Sequence, residues 1–242
     1  MRFQIHHIAE TASTNQAIRT LAATTPSSGE ADEALVLWAD YQTAGRGCGT
    51  NRWESERAQN LLFSVLLHPA MLPARRQFHL SMAVSLAICQ ALGQYIGDTS
   101  IKWPNDIYWQ GGKIGGILIE HTLKGQYIKD SIIGIGLNIN QRQFNSDAPN
   151  PVSLWQITEQ EHDREQLLND ILQRFSAIID QNDLKAQYMS MLYRRKGYHP
   201  FVDCNGTFMA AITDVLDDGH LLLCDDTGRE RRYAFKEVQF IL

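Results

Sequence analysis

From Ser100 to Asn138 the chain reads as one extended segment after another, and this run constrains the fold more than any other feature. Ser100 to Trp103 and Asp106 to Trp109 flank a Pro-Asn kink. Gln110-Gly111-Gly112 then turns the chain into Lys113 to Thr122, and Lys124-Gly125 turns it again into Lys129 to Asn138. Strands joined this closely pair with their neighbours, which predicts one mixed or largely antiparallel sheet. Phe3 to Ile8, Ala34 to Tyr41 and Leu61 to Leu67 add strand signals upstream, the last closed by His68-Pro69. Helices are expected over Arg75 to Tyr95, Arg164 to Asp180 and Leu184 to Arg195. Another opens at Ser13-Thr14-Asn15, where hydroxyl and amide side chains can satisfy orphan N–H groups. The polar segment from Arg142 to Pro151 reads as a loop.

Character changes at Lys196-Gly197. Short strands follow, punctuated by Asn205-Gly206, Asp218-Gly219 and Thr227-Gly228, as in a small barrel. A module that small is marginal alone and should pack on the larger domain. The expected organisation is α+β, with residues 1–196 as the main domain and 197–242 as the barrel.

Composition excludes several classes of function. Hydrophobic residues make up 44% and charged residues 20%, which supports a packed core and argues against a disordered or collagen-like chain. The net charge of −5 provides no basic field for nucleic acid. Cys48, Cys89, Cys204 and Cys224 are widely spaced with no C-x-x-C pair, so neither a metal cluster nor a disulfide framework is expected, and a reducing cytoplasm is the natural setting. The eight histidines form no H-E-x-x-H spacing. The most apolar stretch, Leu80 to Leu92, is far shorter than the roughly 20 residues of a membrane span. The N-terminus is too polar for a signal peptide, so a soluble protein is expected.

Four segments carry candidate chemistry. Gln42-Thr43-Ala44-Gly45-Arg46-Gly47-Cys48-Gly49-Thr50-Asn51-Arg52-Trp53 joins glycines, which let backbone N–H groups approach an anion, to two arginines and a flat apolar wall. It is neither a Walker A sequence nor G-x-G-x-x-G, and a surface hairpin explains it equally well. In Lys102-Trp103-Pro104-Asn105-Asp106 a lysine is held at a strand end before a stiff turn, suited to developing negative charge. Taken alone, a solvated pair of Lys102 with Asp106 is the simpler account. Lys113-Ile114-Gly115-Gly116-Ile117-Leu118-Ile119-Glu120 sets two glycines in a strand, marking a bulge or a surface against which a ligand lies. Gly134-Ile135-Gly136-Leu137-Asn138 admits a ligand and an amide to read it, or is a plain buried strand.

In this order, with Ser13-Thr14-Asn15 ahead of them, the segments resemble the biotin protein ligase family over nearly the whole chain, and Lys102-Trp103-Pro104-Asn105-Asp106 is the most specific element. The resemblance implies a central mixed sheet of the class II synthetase kind flanked by helices, with a C-terminal SH3-like barrel. It implies activation of biotin by ATP to biotinyl-5′-adenylate and pyrophosphate, then transfer to one lysine of a biotin carboxyl carrier protein. Mg²⁺ would arrive with ATP. By the same resemblance Lys102 is the central cation, touching the biotin carboxylate and the α-phosphate, with Arg46 as its catalytic partner. Ser13, Thr14, Asn15 and Gln42 bind the polar ureido ring, and Gly115 and Gly116 line the apolar tail. Gly45, Arg46, Gly47 and Cys48 close over the ligand. Arg52, Trp53 and Asn138 reach the nucleotide.

The chain departs from the family pattern twice. Cys48 and Asn51 stand where many members carry arginine, so backbone N–H groups and Arg52 are expected to hold more of the adenylate, under a loop that orders when ligand binds. The pattern also begins at Ser13, so a form without a DNA-binding helix-turn-helix, and without DNA recognition, is expected. Edge strands of the sheet permit pairing of two copies. The rivals are lipoate ligation by the same adenylate chemistry, a biotin-binding sensor without turnover, and a plain α+β domain.

Overall fold

The turn signals between residues 99 and 138 resolve into four antiparallel strands that form more than half of one large sheet. In chain order the elements are β1 (Arg2–Ile8), α1 (Thr14–Thr24), β2 (Glu33–Ala39), β3 (Leu61–Leu67), α2 (Phe78–Leu92), β4 (Thr99–Lys102), β5 (Asp106–Trp109), β6 (Gly112–Lys124) and β7 (Tyr127–Leu137). Three helices follow, α3 (Leu154–Thr158), α4 (Arg164–Ile178) and α5 (Leu184–Ser190). The strands β8 (His199–Asp203), β9 (Gly206–Val215), β10 (Leu221–Asp225), β11 (Glu230–Tyr233) and β12 (Gln239–Phe240) end the chain. The computed structural model describes residues 1–25, 32–49, 51–145 and 149–241, so Thr50 of the glycine loop and part of the 142–151 segment lie outside the described residues.

The large sheet has the order β1-β2-β3-β7-β6-β5-β4, parallel only between β1 and β2, and is therefore mixed as expected. β3 is buried along its whole length, consistent with its unbroken apolar run. One face carries α1, whose Ile18 packs with Leu37, Leu66 and Ile132. The other face carries the main core, where α2 packs with α4 and α5 and is buried on nearly all sides.

Three helical features depart from the sequence expectation. The helix expected from Arg75 begins with a 3₁₀ turn at Ala74–Arg76, and α2 starts at Phe78. Helix α5 stops at Ser190 because residues beyond it pair with β4. Ile101 N–H donates to Met191 at 2.8 Å, and Tyr193 N–H donates to Ile101 at 2.9 Å. Helix α3 was not anticipated, although Ser153 and Gln156 form a reciprocal capping box that the sequence carries openly.

The C-terminal strands form a five-stranded antiparallel sheet in the order β11-β10-β9-β8-β12. It packs on the main body as expected. Trp103 donates its indole N–H to Gly219 at 2.9 Å, Lys185 pairs with Asp214 at 2.8 Å, and the guanidinium of Arg195 donates to Ile212 at 2.7 Å. Gly219 has φ +94, and a side chain there would strike the Phe78 ring.

Candidate functional site

The site lies on the α1 face of the large sheet. Residues paired across an antiparallel ladder share a face, so the register Gly116↔Gly136 and Leu118↔Gly134 places these glycines on one surface. Side chains added to them show what covers that surface. At Gly134 a Cβ would fall 2.2 Å from Asn15 Oδ1, and at Gly136 it would fall 2.6 Å from the Trp53 indole. At Gly116 it would meet Trp53 at 3.2 Å and the Lys113 stem at 3.4 Å. Gly115 differs: its Cβ would strike Leu137 on the core face, so it does not line the site expected of it.

The strand floor ends in a polar cluster. Ser13 caps α1 without a side-chain bond to it, which leaves Thr14 and Asn15 in the first turn. Gln42 Oε1 accepts from Thr14 N–H at 2.8 Å and from its hydroxyl at 3.2 Å. Ser64 Oγ on β3 lies 2.8 Å from Thr14 Oγ1 and 2.7 Å from Asn15 Oδ1. Asn15 Nδ2 donates to Glu120 on β6 at 2.8 Å. Ser13, Thr14, Asn15 and Ser64 are buried. Buried polar groups of this density need satisfied partners, and here they supply them to one another.

The glycine loop folds back over the floor as a hairpin. Trp53 N–H donates to Gly45 at 3.0 Å and Gly47 N–H to Asn51 at 2.8 Å, while Arg46 and Arg52 face each other across it. Gly45 is needed because a side chain there would lie 2.9 Å from the Trp53 carbonyl. Arg46 Nη2 lies 3.5 Å from Glu120 Oε1, while Arg52 is exposed. Cys48 is half-buried in the turn, and a side chain on Gly49 would meet the Lys236 ammonium. The Trp53 indole N–H is buried with no partner among the described residues. Such a group is costly, about 1–3 kcal/mol, unless an acceptor reaches it.

Opposite the polar cluster stands Lys113. Lys113 Nζ lies 2.6 Å from Asp106 Oδ1 and 5.8 Å from the Trp53 ring centre. A bulge puts it there. Ile107 pairs with Gly115 but Tyr108 pairs with Lys113, so Ile114 is an extra residue that turns Lys113 to the face of Gly116. Residues on both sides hold its backbone, since Lys113 N–H donates to Asn150 at 2.7 Å and its carbonyl accepts from Val152 at 3.0 Å.

Lys102 lies across the β4–β5 ladder from Asp106, on the face that carries Gly116, where the main body meets the C-terminal sheet. Its ammonium lies 5.1 Å from the Tyr108 ring and 5.5 Å from the Phe240 ring. Burial pulls its pKa down, and Asp106 opposes that shift. Asn138 follows the end of β7, and its buried amide donates to Val152 at 3.1 Å and to Lys113 at 3.4 Å, so it braces the Lys113 strand. The residues that the sequence reading missed are Ser64, Asp106 as the partner of Lys113, Glu120 and Lys113 itself. Among the described residues no cluster of His, Cys, Asp or Glu could hold a metal ion, and no helix is long and apolar enough to cross a membrane.

The arrangement can grip a flat polar head between Thr14, Asn15, Gln42 and Ser64, lay an apolar tail along glycines beneath Trp53, and meet an anion with Lys113 and Arg46. The family model described as the biotin/lipoate A/B protein ligase family matches residues 9–138. The biotin–[acetyl-CoA-carboxylase] ligase of Paracoccus denitrificans is 32% identical over 237 residues, covering 92% of this chain and 95% of that protein. The bifunctional ligase/repressor BirA of Bacillus subtilis is 30% identical over 84% of this chain, which spans 66% of that protein. Among solved structures, the biotin protein ligase from Aquifex aeolicus in complex with biotin and ATP aligns with a TM-score of 0.76 at 25% identity, covering 98% of this chain and 99% of that one. With its site built on the matched segment and a relative that follows it almost end to end, the chain belongs to the biotin/lipoate A/B protein ligase family.

Proposed function

We propose that this chain is a biotin protein ligase that forms biotinyl-5′-adenylate and pyrophosphate from biotin and ATP and passes the biotinyl group to a lysine of a biotin carboxyl carrier protein. The observation that carries this reading is the slot with two unlike ends, four hydrogen-bonding side chains at one and the Lys113–Asp106 pair at the other. Thr14, Asn15 and Gln42 bind the ureido ring with Ser64 behind them, and Gly116, Gly134 and Gly136 floor the tail beneath Trp53. Attack of a carboxylate on the α-phosphate brings two anions together, so a fixed cation between them lowers the barrier most directly. Lys102 and Lys113 flank Asp106 on one face and fill that role, Lys113 held in aim by the bulge, and Arg46 reaches in from the loop. Mg²⁺ comes with ATP, and the hairpin with Trp53 shields the mixed anhydride from water.

A polar head pocket also separates biotin from lipoate. A dithiolane ring would leave buried donors and acceptors unpaired, and sites built to hydrogen-bond a substrate reject analogues that lack the bonds by about 10⁴-fold. The test is intact mass of a purified carrier domain after incubation with biotin or lipoate, with and without ATP. One ATP-dependent biotin addition is expected. Lipoate addition instead, or none, refutes the proposal.

A further inference from the structure

Glu120 closes the sequence segment that begins at Lys113, yet substrate chemistry assigns it no role. It stands where three elements meet. Its Oε2 accepts from Asn15 Nδ2 at 2.8 Å and lies 3.4 Å from Arg19 Nη2 on α1, while its Oε1 lies 3.5 Å from Arg46 Nη2 on the glycine loop. One carboxylate therefore touches the polar head pocket, the helix that carries it, and the loop that covers it.

We propose that Glu120 is a positioning residue of the slot, which sets the Asn15 amide and tethers Arg46 while Arg19 keeps it neutralised; this rests on the reading of the slot as the ligand site. An ionised carboxylate only accepts hydrogen bonds, so an Asn15 amide turned the other way would set oxygen against oxygen. Glu120 thus fixes the Nδ2 end toward itself and the Oδ1 end toward Ser64, 2.7 Å away. Among the described residues the loop hairpin closes through few backbone bonds, and the Arg46 tether adds a side-chain anchor from the sheet. A substrate anion recruits Arg46 by competing with this carboxylate. Arg19 and Asn15 remain on Glu120 when Arg46 leaves, so no bare charge is left and the exchange is easily reversed.

The test is Glu120→Gln in the full-length enzyme. Gln can still accept from Asn15 but carries no charge to hold Arg46. Trypsin cuts after arginine, so its rate at Arg46 reads the tether without any substrate present. Cleavage after Arg46 is expected to rise about threefold, the size of a partly exposed ion pair, with other sites and Tm unchanged. With biotin and ATP, KM for biotin is expected to rise about threefold while kcat stays within about twofold. Glu120→Asp, which keeps the charge but shortens its reach, should fall between. Equal cleavage after Arg46 in wild type and Glu120→Gln overturns the tether, and a fall in kcat at constant KM overturns the positioning role. A wild-type chain that fails to transfer biotin refutes the ligase reading instead, and leaves the cleavage result to decide the tether.

Discussion

A lysine stabilises developing negative charge only when its ammonium is held where that charge appears, and two lysines compete for the role here. Lys113 is paired with Asp106 at 2.6 Å beside Trp53, whereas Lys102 sits among Tyr108, Phe240 and Tyr193 at the seam with the C-terminal sheet. Lys113→Ala should therefore lower the rate of biotinyl-adenylate formation by about 10²–10³-fold, as measured by pyrophosphate release. Lys102→Ala should lower it as well, because Lys102 lies across the ladder from Asp106 on the face of Gly116. A larger loss for Lys102→Ala than for Lys113→Ala would assign the central role to Lys102. The roles proposed for Thr14, Asn15 and Gln42 come from the family resemblance; the helix start at Thr14 was legible in the sequence, since a cap is a local feature. Lys113 was not, because its direction depends on a bulge that exists only once β5 and β6 are paired.

At the scale of the element, the adjacent glycines of β6, Gly115 and Gly116, face opposite ways. Gly115 abuts Leu137 in the core and Gly116 lies beneath Trp53 and Lys113. Gly115→Val should overpack the core and lower Tm by roughly 2–12 °C. Gly116→Val should leave Tm within about 3 °C but raise KM for biotin at least about tenfold, because the branched side chain fills the slot floor. Thermal unfolding and initial-rate kinetics on both variants check the pair, and equal loss of stability would contradict the assignment of faces. Adjacent glycines announced a ligand surface or a bulge in the sequence. The bulge is present, and which glycine faces the core and which faces α1 follows from the register with β7.

At the scale of the whole molecule, the seam gives Lys102-Trp103-Pro104-Asn105-Asp106 a second meaning. Trp103 binds Gly219 and packs edge-on to Phe235, so this motif docks the C-terminal sheet, while Asp106 holds Lys113. Within that sheet Asp225 is held ionised well below the usual carboxylate range by the Thr227 hydroxyl, the Arg229 N–H and Arg231, against the opposing effect of burial. A carboxyl whose folded pKa is depressed contributes stability above its unfolded value, near 4, and loses it as pH falls toward the folded value. Asp225→Asn should thus unfold at lower urea than wild type at pH 7, and the gap should narrow below about pH 4. A gap independent of pH would show that the Asp225 charge contributes nothing.

What the sequence determined by itself was whatever short-range chemistry controls. The strands from Leu61 to Leu67 and Asp106 to Trp109 match residue for residue, the start of α4 at Arg164 follows the Asp163 cap, and α1 opens at Thr14 and Asn15 after Ser13. Tertiary structure decided what depends on pairing between distant segments. It ended α5 by joining Leu192 to Ile101 and turned Lys113 to the face of Gly116 through one extra residue at Ile114. A side chain's direction on a strand reverses with a shift of one residue, so these choices are made only when the partner strand arrives.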